Sequence, residues 1–256
     1  MRDNVRIGCA GWSLPSRHAE YFPIEGSHLQ RYAERFLAVE INSSFYRPHR
    51  PATYARWAAS VPDAFRFAVK VPKEITHTRK LADPAEPLAR LLSECANLGE
   101  KLGPLLVQLP PSLAYDTAVA PAFFAHLRER FAGAVVCEPR HPTWFTEDAE
   151  HMLVSFHVAR VAADPARVPA AAEPGGWPAT VYYRLHGSPR IYYSAYEAEY
   201  LDRLALILAA AAHTADVWCI FDNTALDAAT ADALGTLARL GIPGPSFTSP
   251  GPPDPR

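Results

Sequence analysis

The chain has 256 residues, 49% of them hydrophobic, and a formal net charge of −2 at pH 7. That length suits one domain with ample core material, and the balanced charge excludes a global pull toward nucleic acid or anionic membrane; any anion site must come from local placement of charge. The longest apolar helical run, Leu204–Ala212, is nine residues, against the roughly 20 a membrane span needs.

Eight short apolar runs fall along the chain: Val5–Ala10, Ala38–Ile41, Arg66–Lys70, Leu105–Gln108, Ala134–Glu138, Ala159–Asp164, Val181–His186 and Val217–Asp222. Helix-like stretches separate most of them, which predicts a parallel sheet, and eight such units predict a closed α/β barrel of the TIM type, (β/α)₈. The first helix is expected from Ser27, an N-cap residue, through Phe36, with Leu29, Tyr32, Ala33 and Phe36 on one face. The second starts at Pro51 and runs to Ser60; the third follows Asp83 and stops at Gly99. Thr117 and Thr146 are the expected caps of helices four and five, and the last two helices occupy Tyr196–His213 and Leu226–Leu240. Between strands six and seven, Pro165, Pro169, Pro174, Gly175, Gly176 and Pro178 break any helix, so an irregular connection is expected there. The reading is one barrel domain over 1–241 and a Pro-rich tail over 242–256. Cys9, Cys95, Cys137 and Cys219 form no Cys-x-x-Cys pair and read as reduced packing residues. With no basic-then-apolar leader at Met1-Arg2-Asp3-Asn4, a cytoplasmic protein without a membrane partner is expected.

Each strand ends in polar residues that an apolar core would not tolerate unpaired. Residues two apart on a strand share a face, so Glu40 with Asn42, Glu138 with Arg140 and Arg184 with His186 should point together. Facing outward, they would be pressed under helices at a cost of several kcal/mol. They are expected to ring the C-terminal mouth together with Lys70, Gln108, Asp164, Asp222 and Asn223, where barrels of this kind carry their active sites. Glu138 is the candidate base or metal ligand, His186 the acid or second ligand, Glu40 and Lys70 further catalytic candidates, and Lys70 a base or Schiff-base amine if desolvated. Arg140 and Arg184 form the anion clamp, the alternative for Arg184 being a buried pair with Glu138. His141, Asn42, Tyr46, Gln108, Asp164, Gly187, Asn223 and Trp12 complete the substrate-binding set, Gly187 by letting the backbone approach an anion after strand seven. A divalent metal is admitted but not required, with Glu138, His186 and Asp222 as its ligands; no His-Glu-x-x-His spacing or other ligand motif calls for one.

The ordered segments Gly8-Cys9-Ala10-Gly11-Trp12, Tyr21-Phe22-Pro23, Val39 through Tyr46, Phe67 through Pro72, Gln108-Leu109-Pro110-Pro111, Glu138-Pro139-Arg140-His141, Arg184-Leu185-His186-Gly187 and Phe221-Asp222-Asn223-Thr224 resemble those of the YecE-like family, domain of unknown function 72. The resemblance covers residues 5–240 and implies the barrel, but no activity. The chain departs from that pattern at Cys9-Ala10, where Thr-Ser is usual, and at Asp222, where Asn is usual.

The functional expectation is an enzyme acting on a small anionic, phosphate-bearing substrate by hydrolysis or isomerisation. Fold analogy adds a metal-dependent nuclease or repair-type phosphoesterase. The contrasting class is a non-enzymatic protein binding a metabolite, or nucleic acid through Lys70, Lys73, Arg79, Lys80 and loop aromatics.

Overall fold

Strand pairing closes on itself. The structure, a computed structural model, describes residues 4–242; from residue 243 onward the expected Pro-rich tail lies outside the described residues. Its strands are β1 (Val5–Ala10), β2 (Ala38–Ile41), β3 (Arg66–Lys70), β4 (Leu102–Gln108), β5 (Val135–Glu138), β6 (Val158–Arg160), β7 (Ala162–Asp164), β8 (Gly175–Gly176), β9 (Thr180–Leu185) and β10 (Asp216–Phe221). They follow the order β7-β9-β10-β1-β2-β3-β4-β5-β6-β8. All neighbours are parallel except β8, which lies antiparallel to β6. β6 and β7 are halves of one run: β6 pairs with β5, β7 pairs with β9, and Val161 between them donates to the Cys137 carbonyl at 2.8 Å. The barrel therefore closes through a broken sixth strand, where the sequence pattern predicts a continuous one. Residues 159–164 pivot there from one neighbour to the other.

Seven helices cover the described part of the barrel: α1 (His28–Ala33), α2 (Pro51–Ala59), α3 (Ala85–Cys95), α4 (Val119–Arg128), α5 (Glu147–Ser155), α6 (Ala198–Ala211) and α7 (Ala228–Arg239). Ser27 caps α1 in a reciprocal box with Gln30, and Thr146 caps α5. Thr117 does not cap α4. Asp116 does so, its Oδ1 accepting from Ala118 and Val119 at 2.8 and 2.9 Å, because a carboxylate three residues before the first helical residue satisfies two orphan donors at once. The helix α1 stops at Ala33, and Phe36 is buried in the turn that follows. Between β7 and β9 there is no helix, as the breakers predict. A 3₁₀ turn at Pro169–Ala172 and the short β8 fill that place. Arg160 staples this segment, donating to the carbonyls of Ala170 and Glu173 at 2.8 and 3.1 Å and to Glu150 at 3.1 Å.

The two faces of the strands divide the core. Outward residues such as Phe67, Val69, Leu105, Val107 and Phe221 pack under the helices with Phe36, Phe65, Phe123, Phe124 and Leu127; each such buried side chain contributes about 2–3 kcal/mol. Inward residues form a separate plug of Ala38, Ala68, Leu106, Val136, Ala159, Tyr182, Trp218 and Ile220. Tyr182 and Trp218 stack at 6.0 Å within it, so the lumen is filled and nothing passes through. Gly8 permits the close approach of β1 and β2: a Cβ there would sit 2.1 Å from the Ala38 carbonyl oxygen. All four cysteines are buried and free. Among the described residues no helix is long and apolar enough to cross a membrane.

Candidate functional site

Two residues further along each strand than the apolar plug, the inward positions turn polar. Glu40 lies one residue before the end of β2, and Lys70 ends β3, Gln108 β4 and Glu138 β5; Arg184 lies near the end of β9, His186 follows it and Asp222 follows β10. Arg184 is the centre. Its side chain has no exposed surface, and it donates to Glu40 through Nε and Nη2 at 3.0 and 2.7 Å, to Glu138 through Nη1 at 2.7 Å and to Asp222 through Nη2 at 3.1 Å. Tyr182 adds a donor to Glu40 at 3.0 Å. Burial penalises the Arg184 charge, yet the three carboxylates raise its pKa well above the ordinary value. The expected anion clamp at Arg184 is thereby corrected: a guanidinium surrounded by carboxylates has no face to offer an anion. The alternative, a buried pair with Glu138, is what the structure contains.

Glu138 accepts from Gln108 at 3.0 Å, from Arg184 at 2.7 Å and from Arg140 at 2.9 Å, and faces His186 Nε2 at 3.3 Å. Burial would raise this carboxyl, but Arg184, Arg140 and His186 overcome it and hold it well below the usual range. A carboxylate so stabilised is a poor base near neutrality, so geometry removes the base role assigned to Glu138. His186 is its counterpart. Its Nε2 faces Glu138, and its Nδ1 lies 2.9 Å from Asp222 Oδ2. Although burial opposes the charge, Glu138 and Asp222 raise its pKa above the ordinary imidazole value.

The metal candidates Glu138, His186 and Asp222 do meet, but not as ligands. Both imidazole nitrogens point to carboxylates and both carboxylates are committed to guanidinium groups, a donor set with no lone pair directed at a common centre. Among the described residues no group of three or more His, Cys, Asp or Glu side chains is arranged to hold a metal.

Beside this cluster lies a pocket of about 300 Å³. Glu138, Pro139 and Arg140 come from the end of β5, Arg167 and Val168 from the irregular segment after β7, and His186, Ile191 and Tyr192 from the loop after β9. Arg140 reaches it while holding Glu138 through Nε and Nη2, with its side chain 19% exposed. The Tyr192 ring meets the His186 ring edge-on at 5.9 Å. Arg167 is exposed at the rim. Sequence reasoning passed over Arg167 among the helix breakers; its place three residues past a strand end was the available signal. Lys70 is buried on the β3 side, its Nζ 4.4 Å from the Phe45 ring centroid.

The remaining expected site residues serve elsewhere. Gly187, at φ +91°, donates its N–H to the Tyr196 hydroxyl at 2.9 Å, so it makes a turn and leaves no donor for an anion. Asn223 is buried and donates to the Ser194 carbonyl and to Asp232 at 2.9 and 2.7 Å, tying the loop after β9 to α7. Asp164 accepts from Tyr196 at 2.9 Å and borders a separate groove against α6. His141 accepts from Thr143 to cap a 3₁₀ turn at Pro142–Phe145. Trp12 packs edge-on against Trp57 at 5.0 Å. Tyr46 is 78% exposed and lines a surface groove with Lys73 and Arg90. Asn42 stays at the mouth, donating to Asp222 at 3.3 Å with its own Oδ1 buried and unpartnered. Among the basic residues after β3, Arg79 is paired with Glu74 and Glu86 at 2.7 and 3.5 Å, while Lys73 and Lys80 are exposed.

A family model described as "Protein of unknown function DUF72" matches residues 6–256. The chain is 28% identical over 153 residues to the UPF0759 protein YecE of Escherichia coli strain K12, covering 59% of this chain and 54% of that protein. It is 25% identical over 162 residues to the UPF0759 protein YunF of Bacillus subtilis strain 168, covering 59% and 56%. These alignments span only about half the length of those curated relatives. Among solved structures, the DUF72 family protein EF0366 of Enterococcus faecalis V583 superposes with a TM-score of 0.78 at 22% identity, over 98% of this chain and all of that one. TM1631 of Thermotoga maritima MSB8, also of the DUF72 family, superposes with a TM-score of 0.76 at 22% identity, over 93% of this chain and 99% of that one. The likeness is one of fold.

Proposed function

The chain belongs to the DUF72 family of proteins of unknown function, and since that membership carries no activity we propose from the site itself that the mouth pocket binds a small anionic, phosphate-bearing molecule. The observation that carries this reading is the placing of two guanidinium groups, Arg140 and Arg167, around one pocket with the His186 ring in its wall. Arg140 bonds Glu138 through Nε and Nη2, and its Nη1 has no partner among the described residues. An oxyanion can take that donor together with Arg167 in the planar, bidentate manner guanidinium groups favour. Glu138 then acts as a positioning residue. It anchors Arg140, Gln108 and His186 at once.

Thermal melts in inorganic phosphate, with chloride at matched ionic strength, test the pocket. At phosphate about 100-fold above its Kd the wild type should gain roughly 2.7 kcal/mol, or about 5–10 °C. Arg167 is exposed, so Arg167→Met should leave the phosphate-free melt within about 0.5 kcal/mol while removing most of the gain. An Arg167→Met protein that keeps the full phosphate response would refute the pocket assignment.

A further inference from the structure

Only four of the 25 basic residues are lysines: Lys70, Lys73, Lys80 and Lys101. Lys73 and Lys80 are exposed, and Lys101 holds the carbonyls of Ala58 and Val61 at 2.9 and 2.7 Å. Lys70 alone is buried at the mouth, 7% exposed, and among the described residues its ammonium has neither a hydrogen bond nor an ion pair. Its Nζ lies 4.4 Å from the Phe45 ring centroid. A buried lysine kept for charge balance would be paired, and here Glu40, Glu138 and Asp222 are bonded instead by Arg184, Arg140 and His186. Lys70 stands outside that network.

We propose that Lys70 is a nucleophilic amine that condenses with the carbonyl carbon of a small aldehyde or ketone whose anionic group is held by Arg140 and Arg167. Burial, then the positive charge of Arg184, lowers Lys70 to about 8 against the pull of Glu40, Glu138 and Asp222, so about half of it is free base at pH 8. Lys70 ends β3 and Glu138 ends β5, two strands along the same sheet at the same mouth, and Glu138 both lines the pocket and holds Arg140. The Nζ lone pair adds to the carbonyl carbon and the C=O π pair moves to oxygen. The carbinolamine then releases that oxygen as water with the two protons of the amine, leaving a C=N bond. No oxidant or reductant is needed. The anion-holding half of the inference rests on the proposed function; the carbonyl half stands on Lys70 alone.

The native protein at pH 8 is treated with cyanoborohydride and either glycolaldehyde phosphate or glycolaldehyde, which share a carbonyl and differ in the anion. Reduction adds hydride to the imine carbon and fixes a secondary amine that peptide mass mapping locates among the four lysines. Lys70 should be modified in preference to Lys73 and Lys80 by on the order of tenfold, since its free-base fraction at that pH is far larger than that of an exposed lysine. The phosphorylated probe should label it more efficiently, excess inorganic phosphate should suppress that advantage, and Lys70→Arg should reduce labelling to the background of the other three. Modification confined to Lys73 and Lys80 would overturn the inference, and would leave the anion pocket standing if phosphate still stabilises the protein. Equal labelling of Lys70 by both probes would sustain the carbonyl chemistry and overturn the anion clamp.

Discussion

Replacing Arg184 by Met should cost on the order of 3–5 kcal/mol of folding stability, more than any surface change in the molecule. The side chain is fully buried and supplies the donors that compensate Glu40, Glu138 and Asp222. Methionine fills much the same volume but leaves three buried carboxylates without a central cation. The penalty comes from that stranded charge and not from lost packing. Urea unfolding at pH 7 measures it. Adding Glu40→Gln to Arg184→Met should recover part of the loss, because a neutral amide removes one uncompensated charge, and the two changes should be coupled by about 1–3 kcal/mol. A loss below about 1 kcal/mol for Arg184→Met alone would mean that the network is not what holds the mouth together.

Lys70→Met should act in the opposite direction and stabilise the protein at pH 7 by up to about 3 kcal/mol. Lys70 is 7% exposed and lowered from its ordinary 10.5 to about 8 by burial and by Arg184. The unfolded chain therefore binds a proton at this position more tightly than the folded one, and stability rises with pH between those two values. Below about 8 the folded protein bears the full cost of a buried ammonium; above 10.5 the amine is neutral in both states and the cost is gone. The advantage of the Met variant should accordingly be full at pH 7 and shrink steadily from pH 8 to 10.5. A pH-independent difference, or a less stable variant, would show that Lys70 is charged and paired in the folded protein. Retention of a residue that costs stability fits a functional use of its amine.

The barrel was legible because its strands are short apolar runs with polar tips, and because Pro165 through Pro178 contain enough breakers to forbid a helix. Period-two spacing correctly put Glu40, Glu138 and Arg184 on the inner face, where they meet. It could not tell which of the converging groups bond one another, and that decides their chemistry. Arg184 is consumed by the network, whereas Arg140, on the same face as Glu138 and farther out, keeps a donor for the pocket. The break at Val161 was hidden because residues 158–164 contain no glycine or proline to mark it. It shifts the pocket toward β5, β7 and β9, away from the β9–β10 sector where phosphate would be sought by fold analogy. Gly187 and Asn223 then fall to loop anchoring, since a turn glycine and a tying amide look in sequence much like an anion site. Arg167 was hidden by the irregular segment that carries it, where no periodicity marks which side chain turns inward.

A crystal structure of the wild type soaked in selenate, recorded at the selenium absorption edge, tests the central claim most directly, because this tetrahedral dianion mimics phosphate and its scattering marks its position. The account predicts one dominant anomalous peak in the pocket, within hydrogen-bond distance of Arg140 and Arg167 and beside His186. A pocket free of selenate while the ion occupies the surface groove of Arg47, Lys73 and Arg90, or no site at all, would contradict it.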